Sequence, residues 1–87
     1  MRKRSSPDII ATILEAANGG IGKTRLLTKA NLTSTQLKKY MDLLLEKELL
    51  AQCQDRGGGH PSYKTTGLGL QYLLLYNSIR SIAYINA

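Results

Sequence analysis

Two helical patterns separated by a very short turn constrain the fold of this chain most strongly. The first pattern covers Lys23 to Ala30, a turn follows at Asn31-Leu32, and the second pattern begins near Ser34. Thr33 and Gln36 have the spacing of a capping box, which predicts that a helix starts between them. The second helix would carry its apolar residues inward at helical spacing: Leu37, Met41, Leu44 and Leu45. Two helices joined this closely predict a helix-turn-helix arrangement.

An earlier helix is predicted before this pair. Ser6, Pro7 and Asp8 indicate a helix start, with Ser6 as the capping hydroxyl, proline at the first helical position and an acid in the first turn. Gly19-Gly20 indicates its end, because glycine readily adopts the left-handed conformation of a C-terminal cap. Ile21 could form a very short extended segment. The apolar residues of this helix are Ile9, Ile10, Ile13, Leu14 and Ala17.

A β-hairpin is predicted from Leu50 to Thr66. Residues 50–54 alternate between two unlike faces, and residues 62–65 alternate again. Gly57-Gly58-Gly59 interrupts the pattern between them, which is typical of a turn. The tip of the hairpin would carry three basic or titratable side chains: Arg56, His60 and Lys64.

The last predicted helix runs from a cap at Thr66 to about Ile85. Its apolar residues follow the alternating spacing of four and three that is typical of a coiled-coil seam. This surface exceeds what one small domain needs, so we expect it to bind a second copy of the chain. The expected dimerisation residues are Leu68, Tyr72, Leu75, Tyr76, Ile79, Ile82 and Ala83.

Size and charge limit the possible functions. A chain of 87 residues is about one small domain. Its net charge of +6 and sequence pI near 9.7 favour polyanionic partners, either nucleic acid or an anionic membrane surface. A membrane-spanning reading of the last helix is disfavoured by its polar interruptions: Gln71, Asn77, Ser78, Arg80 and Ser81. The single cysteine excludes an intramolecular disulfide and favours a reducing cytoplasm.

Signals for catalysis or cofactor binding are weak. The segment ANGGIGKT, residues 17–24, fits a loose phosphate-loop pattern, but such a loop follows a strand and here a helix is predicted ahead of it. Zinc needs about four ligands, and Cys53 and His60 have no second cysteine or histidine beside them. We therefore expect no enzyme, cofactor or metal. Cys53 is expected to face the core, and His60 to lie near phosphate.

Two stretches resemble a known family. KTRLLTKANLTSTQLKKYMDLLLEKELL, residues 23–50, is similar to the helix-turn-helix of small archaeal winged-helix regulators and chromatin proteins. YKTTGLGLQYLL, residues 63–74, resembles the junction between their hairpin and last helix, with the spacing Tyr-x-x-Thr-x-x-Gly. Glu48 departs from the pattern, because the family commonly has glycine there. The resemblance implies an α+β, mostly α winged-helix fold, DNA binding, and dimerisation through the last helix, often as an antiparallel coiled coil.

Basic groups from several elements suggest how double-stranded DNA would be bound. We expect the third helix to lie in a major groove, and the hairpin to follow the backbone or an adjacent minor groove. The candidates for base edges are Ser34, Thr35, Gln36 and Lys38. The candidates for phosphate contacts are Lys23, Arg25, Lys29, Lys39, Arg56 and Lys64. Lys38 also has a purely structural interpretation, because it could form an exposed ion pair with Asp42, one turn later on the same helix.

The expected organisation is a winged-helix domain at residues 1–66, with a short basic N-terminal arm, and a dimerisation helix at residues 67–87. The expected function is that of a homodimeric transcriptional regulator or chromatin-associated protein, located in the cytoplasm with the nucleoid. The alternative is a dimeric module of a transcription complex that docks a protein partner and does not bind DNA, because a fold alone does not fix a function.

Overall fold

The structure is a computed structural model that describes residues 4–53 and 59–85, with side chains as far as Ile82. Its elements follow the order helix, strand, two helices, two strands and helix. Their bounds are α1 (Ser6–Ala16), β1 (Ile21–Gly22), α2 (Lys23–Ala30), α3 (Ser34–Glu46), β2 (Leu50–Cys53), β3 (Ser62–Thr65) and α4 (Gly67–Ile85). The α+β, mostly helical fold predicted from the sequence is confirmed, including the short extended segment at Ile21.

Helix α1 begins one residue earlier than predicted. Ser5, not Ser6, is the N-cap: its hydroxyl accepts a hydrogen bond from the Asp8 amide, and the Asp8 carboxylate accepts one from the Ser5 amide. A capping box needs its acidic partner three residues after the cap, and only Ser5 has that spacing to Asp8. The Ser6 hydroxyl instead lies 3.1 Å from the hydroxyl of Tyr40 on α3.

The turns around α2 are built as the sequence indicates. Gly19 and Gly20 have φ angles of 100° and 104°, a region that other residues adopt only with strain. Asn31 ends α2 in the left-handed conformation, with φ 54°, which asparagine tolerates better than most residues. Two residues later Thr33 caps α3, and the predicted capping box with Gln36 is present.

The three strands form an antiparallel sheet of order β1-β3-β2, in which β3 is central. Leu50 pairs with Thr65 and Cys53 with Ser62, so the predicted hairpin is confirmed on both sides of its tip. The prediction that Cys53 faces the core is wrong, because its side chain is exposed. Strand β2 lies at the edge of the sheet and only its first residue, Leu50, reaches the core.

One hydrophobic core joins all four described helices to the sheet. Helix α4 packs against α1 and contributes Leu73 to that core. The buried hydroxyl of Thr65 donates a 2.6 Å hydrogen bond to the Leu14 carbonyl, which ties the central strand to the last turn of α1. The other core residues are Ala11, Ile13, Leu14, Ala17, Ile21, Leu26, Ala30, Leu37, Met41, Leu44, Leu50 and Tyr63.

The junction between α3 and α4 accounts for the Tyr-x-x-Thr-x-x-Gly spacing. Tyr63 lies in the core, and the Thr66 hydroxyl both caps α4 at the Gly69 amide and donates to the Glu48 carbonyl. Gly69 is packed against Leu49, so closely that a side chain there would overlap its backbone. Glu48 has φ 61°, a left-handed conformation that glycine, the residue expected there from the resemblance, would adopt without strain.

Candidate nucleic-acid interface

Helix α2 presents a positively charged surface. Lys23, Arg25 and Lys29 are all exposed, and Arg25 and Lys29 lie one turn apart on a flank of the helix beside the buried Leu26 and Ala30. The helix contains no acidic residue, and Lys23 occupies its first position, where the unpaired backbone amides also favour anions. All three side chains are therefore accessible to a polyanion.

The outer face of α3 divides into a basic half and an acidic half. Ser34, Thr35, Lys38 and Lys39 are exposed in its first half, while Leu37, Met41 and Leu44 are buried on the other side. Asp42 and Glu46 follow in the second half, also exposed. A polyanion lying on this helix would therefore favour its N-terminal half.

The predicted ion pair between Lys38 and Asp42 is present. The Lys38 ammonium lies 2.8 Å from the Asp42 carboxylate, and the two side chains are 70% and 63% exposed. This hydrogen bond raises the pKa of Lys38 above its ordinary value. An exposed pair of this kind contributes little to stability.

Gln36, a candidate for base contacts, also has a structural role in the cap of α3. Its side-chain carbonyl accepts a 3.0 Å hydrogen bond from the Thr33 amide, as its half of the capping box. A paired contact to adenine needs both the carbonyl and the amino group of the side chain. While the cap is intact, one lone pair of the Gln36 carbonyl is occupied and its orientation is fixed by the Thr33 amide.

The hairpin carries further basic side chains next to α2. Lys64 and His60 are exposed, whereas Arg56 lies outside the described residues. Gly22 caps α2 and pairs with Ser62, so the start of α2 lies beside the chain that enters β3 just after His60. The sheet thus links the basic start of α2 to one side of the hairpin.

Comparison with known proteins identifies the family to which this fold belongs. A family model described as winged helix-turn-helix matches residues 3–84. The chain belongs to the winged helix-turn-helix family. In this family the β2–β3 hairpin is the wing, and α2 and α3 form the helix-turn-helix.

Among solved structures, this winged-helix chain is similar to Sso10a-2, described as a DNA-binding protein from Sulfolobus solfataricus. The two have a TM-score of 0.81 and 21% sequence identity, over 93% of this chain and 83% of the other. At that identity the likeness shows the shared fold. A comparison with curated proteins finds no match.

Helix α4 of this winged-helix domain leaves much of its apolar surface uncovered. Leu75 and Ile79, from the predicted dimerisation seam, are 65% and 67% exposed. Leu68 and Ile82 of the same seam are also exposed, and the side chain of Ala83 lies outside the described residues. The seam prediction omitted two further exposed leucines, Leu70 and Leu74.

Two tyrosines assigned to that seam pack within their own domain. The rings of Tyr72 and Tyr76 stack with centroids 6.3 Å apart, and Tyr72 donates to the Pro7 carbonyl on α1. The Tyr76 hydroxyl donates to the Asp8 carboxylate, which lowers the pKa of Asp8 and raises the pKa of Tyr76. They border an open groove of about 860 Å³ between α1 and α4.

Three other possibilities from the sequence were a phosphate-binding loop, a metal site and a membrane-spanning helix. Gly22 and Lys23 of the phosphate-loop pattern belong to β1 and to the first turn of α2, and helix α1 precedes them. Over residues 4–53 and 59–85, no three His, Cys, Asp or Glu side chains come close enough to hold a metal. No helix in the described part of the chain is long and apolar enough to cross a membrane.

Proposed function

We propose that this protein binds double-stranded DNA as a homodimer, acting as a transcriptional regulator or chromatin-associated protein and not as an enzyme. The N-terminal half of α3 would enter a major groove, and the wing would follow the backbone or an adjacent minor groove. A protein with this function is expected in the cytoplasm, associated with the nucleoid.

A long acid-free stretch carries the proposal. Residues 16–41 contain no aspartate or glutamate, and this stretch holds the whole of α2, the turn and the basic half of α3. Its five cations, all of them exposed, are Lys23, Arg25, Lys29, Lys38 and Lys39. A duplex would meet mainly positive charge and helix N-termini there, with the exposed Asp42 paired to Lys38 at its edge.

The chemistry of α3 favours modest sequence preference. Ser34, Thr35 and Lys38 can reach base edges, but the exposed face of its first half has no arginine or asparagine to make the stronger paired contacts. Gln36 is engaged in the cap. Most of the affinity would then come from contacts with phosphates, which suits a protein that binds many DNA sequences. Sso10a-2, which has the same fold, is described as a DNA-binding protein.

A salt titration with random-sequence duplex tests the proposal. If about five phosphates are neutralised per domain, the slope of log affinity against log salt concentration should be about −4 to −5 per domain. Absence of salt-dependent binding would contradict it and favour the protein-docking alternative.

A matched pair of variants on α3 tests the position of the surface. Lys39→Ala should weaken binding and make the salt slope shallower by about 1, because it removes one phosphate contact. Lys47→Ala removes the same charge from the far end of the helix, beyond Glu46, and should leave the slope unchanged. The double change Lys38→Ala with Lys39→Ala should weaken binding further without lowering the melting temperature. Equal effects of Lys39→Ala and Lys47→Ala would reject this placement.

Light scattering on variants of α4 tests the homodimer. Ile79→Glu places a charge on the exposed seam and should dissociate the dimer, because burying an unpaired carboxylate is costly. Asn77→Glu is the control, since Asn77 is exposed and lies roughly 160° around the helix from Ile79. A dimer that survives Ile79→Glu, or is lost equally in both variants, would reject the seam.

A further inference from the structure

The groove between α1 and α4 is continuous with the exposed seam of α4. Leu75 and Ile79 of the seam also line this groove, whose volume is about 860 Å³. From α1 it is lined by Ala11 and Thr12, whose short side chains leave the space open. The Thr12 hydroxyl donates to the Asp8 carbonyl of its own helix, 2.9 Å away, so it needs no partner from outside. Groove and seam therefore form one surface.

A helix that packs on the seam would also lie over the groove. Packed helices have axes about 8–10 Å apart, and a helix with its side chains is about 10–12 Å wide. A helix in contact with Leu75 and Ile79 would therefore reach the wall that α1 provides. The surface expected from α4 alone is thus extended by α1.

The two ends of the groove differ in charge. Helices α1 and α4 run in opposite directions, because the Thr65 amide, just before α4, donates to the C-cap of α1, whereas Tyr76 donates to Asp8 in its first turn. Glu15, near the end of α1, therefore lies towards the start of α4. Arg80 lines the groove at the other end, one turn beyond Tyr76.

The charged side chains that line the groove balance, in contrast to the chain as a whole. They are two acids, Asp8 and Glu15, and two arginines, Arg4 and Arg80, whereas the net charge of the chain is +6. Such a surface neither attracts DNA strongly nor repels a second copy of a basic protein. In a twofold-symmetric dimer each patch meets a copy of itself. Opposite charges then meet if the two grooves run in opposite directions.

Of the two arginines, Arg80 is the one that a second copy would bring to Glu15. Arg80 belongs to α4 and directly follows Ile79 of the seam. The Arg4 guanidinium instead donates a 3.0 Å hydrogen bond to the Asn31 carbonyl, at the end of α2. Glu15 is exposed, and a guanidinium has five N–H donors, so Arg80 can bind a further carboxylate besides its neighbours in its own chain.

We propose that the groove between α1 and α4 receives helix α4 of a second copy, so that α1 forms part of the dimer interface and Glu15 pairs with Arg80 of the partner subunit. The inference rests on the homodimer proposed above and adds a second helix to its interface. By symmetry the ion pair occurs twice in each dimer.

Charge reversals test whether the pair joins two copies. Glu15→Arg and Arg80→Glu, each alone, should weaken the dimer by about 10- to 100-fold in sedimentation equilibrium, because two partly exposed ion pairs become like-charge contacts. An equimolar mixture of the two variants should recover most of the wild-type affinity, since each heterodimer has two opposite-charge pairs. Native mass spectrometry should then find heterodimers well above their statistical share.

Glu46→Arg and Lys47→Glu are the matched controls. They make the same changes of charge at exposed positions at the end of α3, outside the groove. Both should keep the wild-type dimer affinity, and their mixture should contain heterodimers at the statistical share only. Equal weakening by the reversals and by the controls would overturn the pair, because net charge would then explain both.

Neutral variants cover the case in which Arg80→Glu disturbs its own fold by placing a carboxylate beside Asp8, which circular dichroism would reveal. Glu15→Gln and Arg80→Gln should weaken the dimer by similar factors, and the double variant should weaken it little further than either alone. Independent losses that multiply in the double variant would overturn the pair.

The remaining outcomes distinguish failure of the groove from failure of the homodimer. If the wild-type chain is monomeric, the proposed homodimer fails and the groove proposal fails with it. If the wild-type chain dimerises and Ile79→Glu dissociates it, but both charge reversals keep the dimer, only the groove proposal is overturned. A mixture of the reversals without excess heterodimer also overturns it.

Discussion

Replacing Gly69 with alanine should destabilise the fold at the junction of α3, β3 and α4. A Cβ at position 69 would lie 2.6 Å from Cγ2 of Thr65 and closer still to the Leu49 carbonyl. Helix α4 cannot easily move away, because Thr66 bonds to the carbonyls of both Glu48 and Leu49. Overpacking costs about 1–3 kcal/mol, and two rigid neighbours favour the upper end.

The gain in helix propensity from glycine to alanine offsets about 1 kcal/mol of this cost. The net loss for Gly69→Ala is then about 1–2 kcal/mol, which corresponds to a fall of about 5–15 °C in melting temperature for a domain of this size. Thermal unfolding followed by circular dichroism measures this fall in melting temperature. All proteins are compared at one concentration, because dimerisation would raise the apparent stability.

Gly67→Ala is the matched control, two residues earlier on the same helix. No heavy atom lies within 4 Å of a Cβ built there, and its backbone is not left-handed. This change should leave the stability unchanged or raise it by up to about 1 kcal/mol. If Gly69→Ala is as stable as Gly67→Ala, the close approach of α4 to Leu49 does not constrain the fold as described.

Two further changes test contacts of α1. Thr65→Val should lower the free energy of unfolding by about 1–3 kcal/mol, because it leaves the buried Leu14 carbonyl without its hydroxyl donor. Thr65→Ser keeps the donor and should lower it by less. Equal losses for the two variants in urea denaturation would contradict the role of this hydrogen bond. Tyr76→Phe should raise the pKa of Asp8 towards its ordinary value, since the Tyr76 hydroxyl is the main cause of its lowered pKa. A carboxyl group whose pKa is lowered by folding contributes stability above the ordinary pKa of aspartate, and this contribution is lost as the pH falls through the folded-state pKa. The difference in stability between wild type and Tyr76→Phe should therefore be present at pH 7 and shrink below about pH 4. An NMR titration in which the Asp8 carboxyl resonance titrates at the same pH in both proteins would contradict the assignment.

Local signals in the sequence were sufficient for most of the fold. The spacing of Thr33 and Gln36 located the start of α3, and Gly19-Gly20 located the end of α1, because caps and turns depend on a few neighbouring residues. The hairpin was predicted from alternation on both sides of the glycine triplet. The resemblance to winged-helix proteins then fixed the arrangement of elements that these local signals leave open.

Errors arose where the answer depended on tertiary contacts. Cys53 was assigned to the core from its general tendency to be buried, but only one residue of the edge strand β2 reaches the core. Tyr72 and Tyr76 have the periodicity of a seam, which does not reveal their hydrogen bonds to α1, and their place in a dimer stays a prediction. The contact of Arg4 with Asn31 joins residues far apart in sequence and has no local signal.

The candidate surface was partly predictable because charge can be read directly from the sequence. The exposure of Lys23, Arg25, Lys29 and Lys39 follows from helical periodicity, and the structure agrees. The capping box of Gln36 and the ion pair of Lys38, both expected from their spacing, are present, so two of the residues listed for base edges also have contacts within their own chain. Both contacts compete with hydrogen bonds to bases.

A chemical-shift map recorded while the isotope-labelled protein is titrated with duplex DNA tests the central claim most directly. We expect the largest changes over α2, the first half of α3 and the wing at Lys64, with small changes around Asp42 and Glu46 and on the exposed seam of α4. Changes concentrated on α4 or on the acidic half of α3, with α2 unaffected, would contradict the proposed DNA-binding surface.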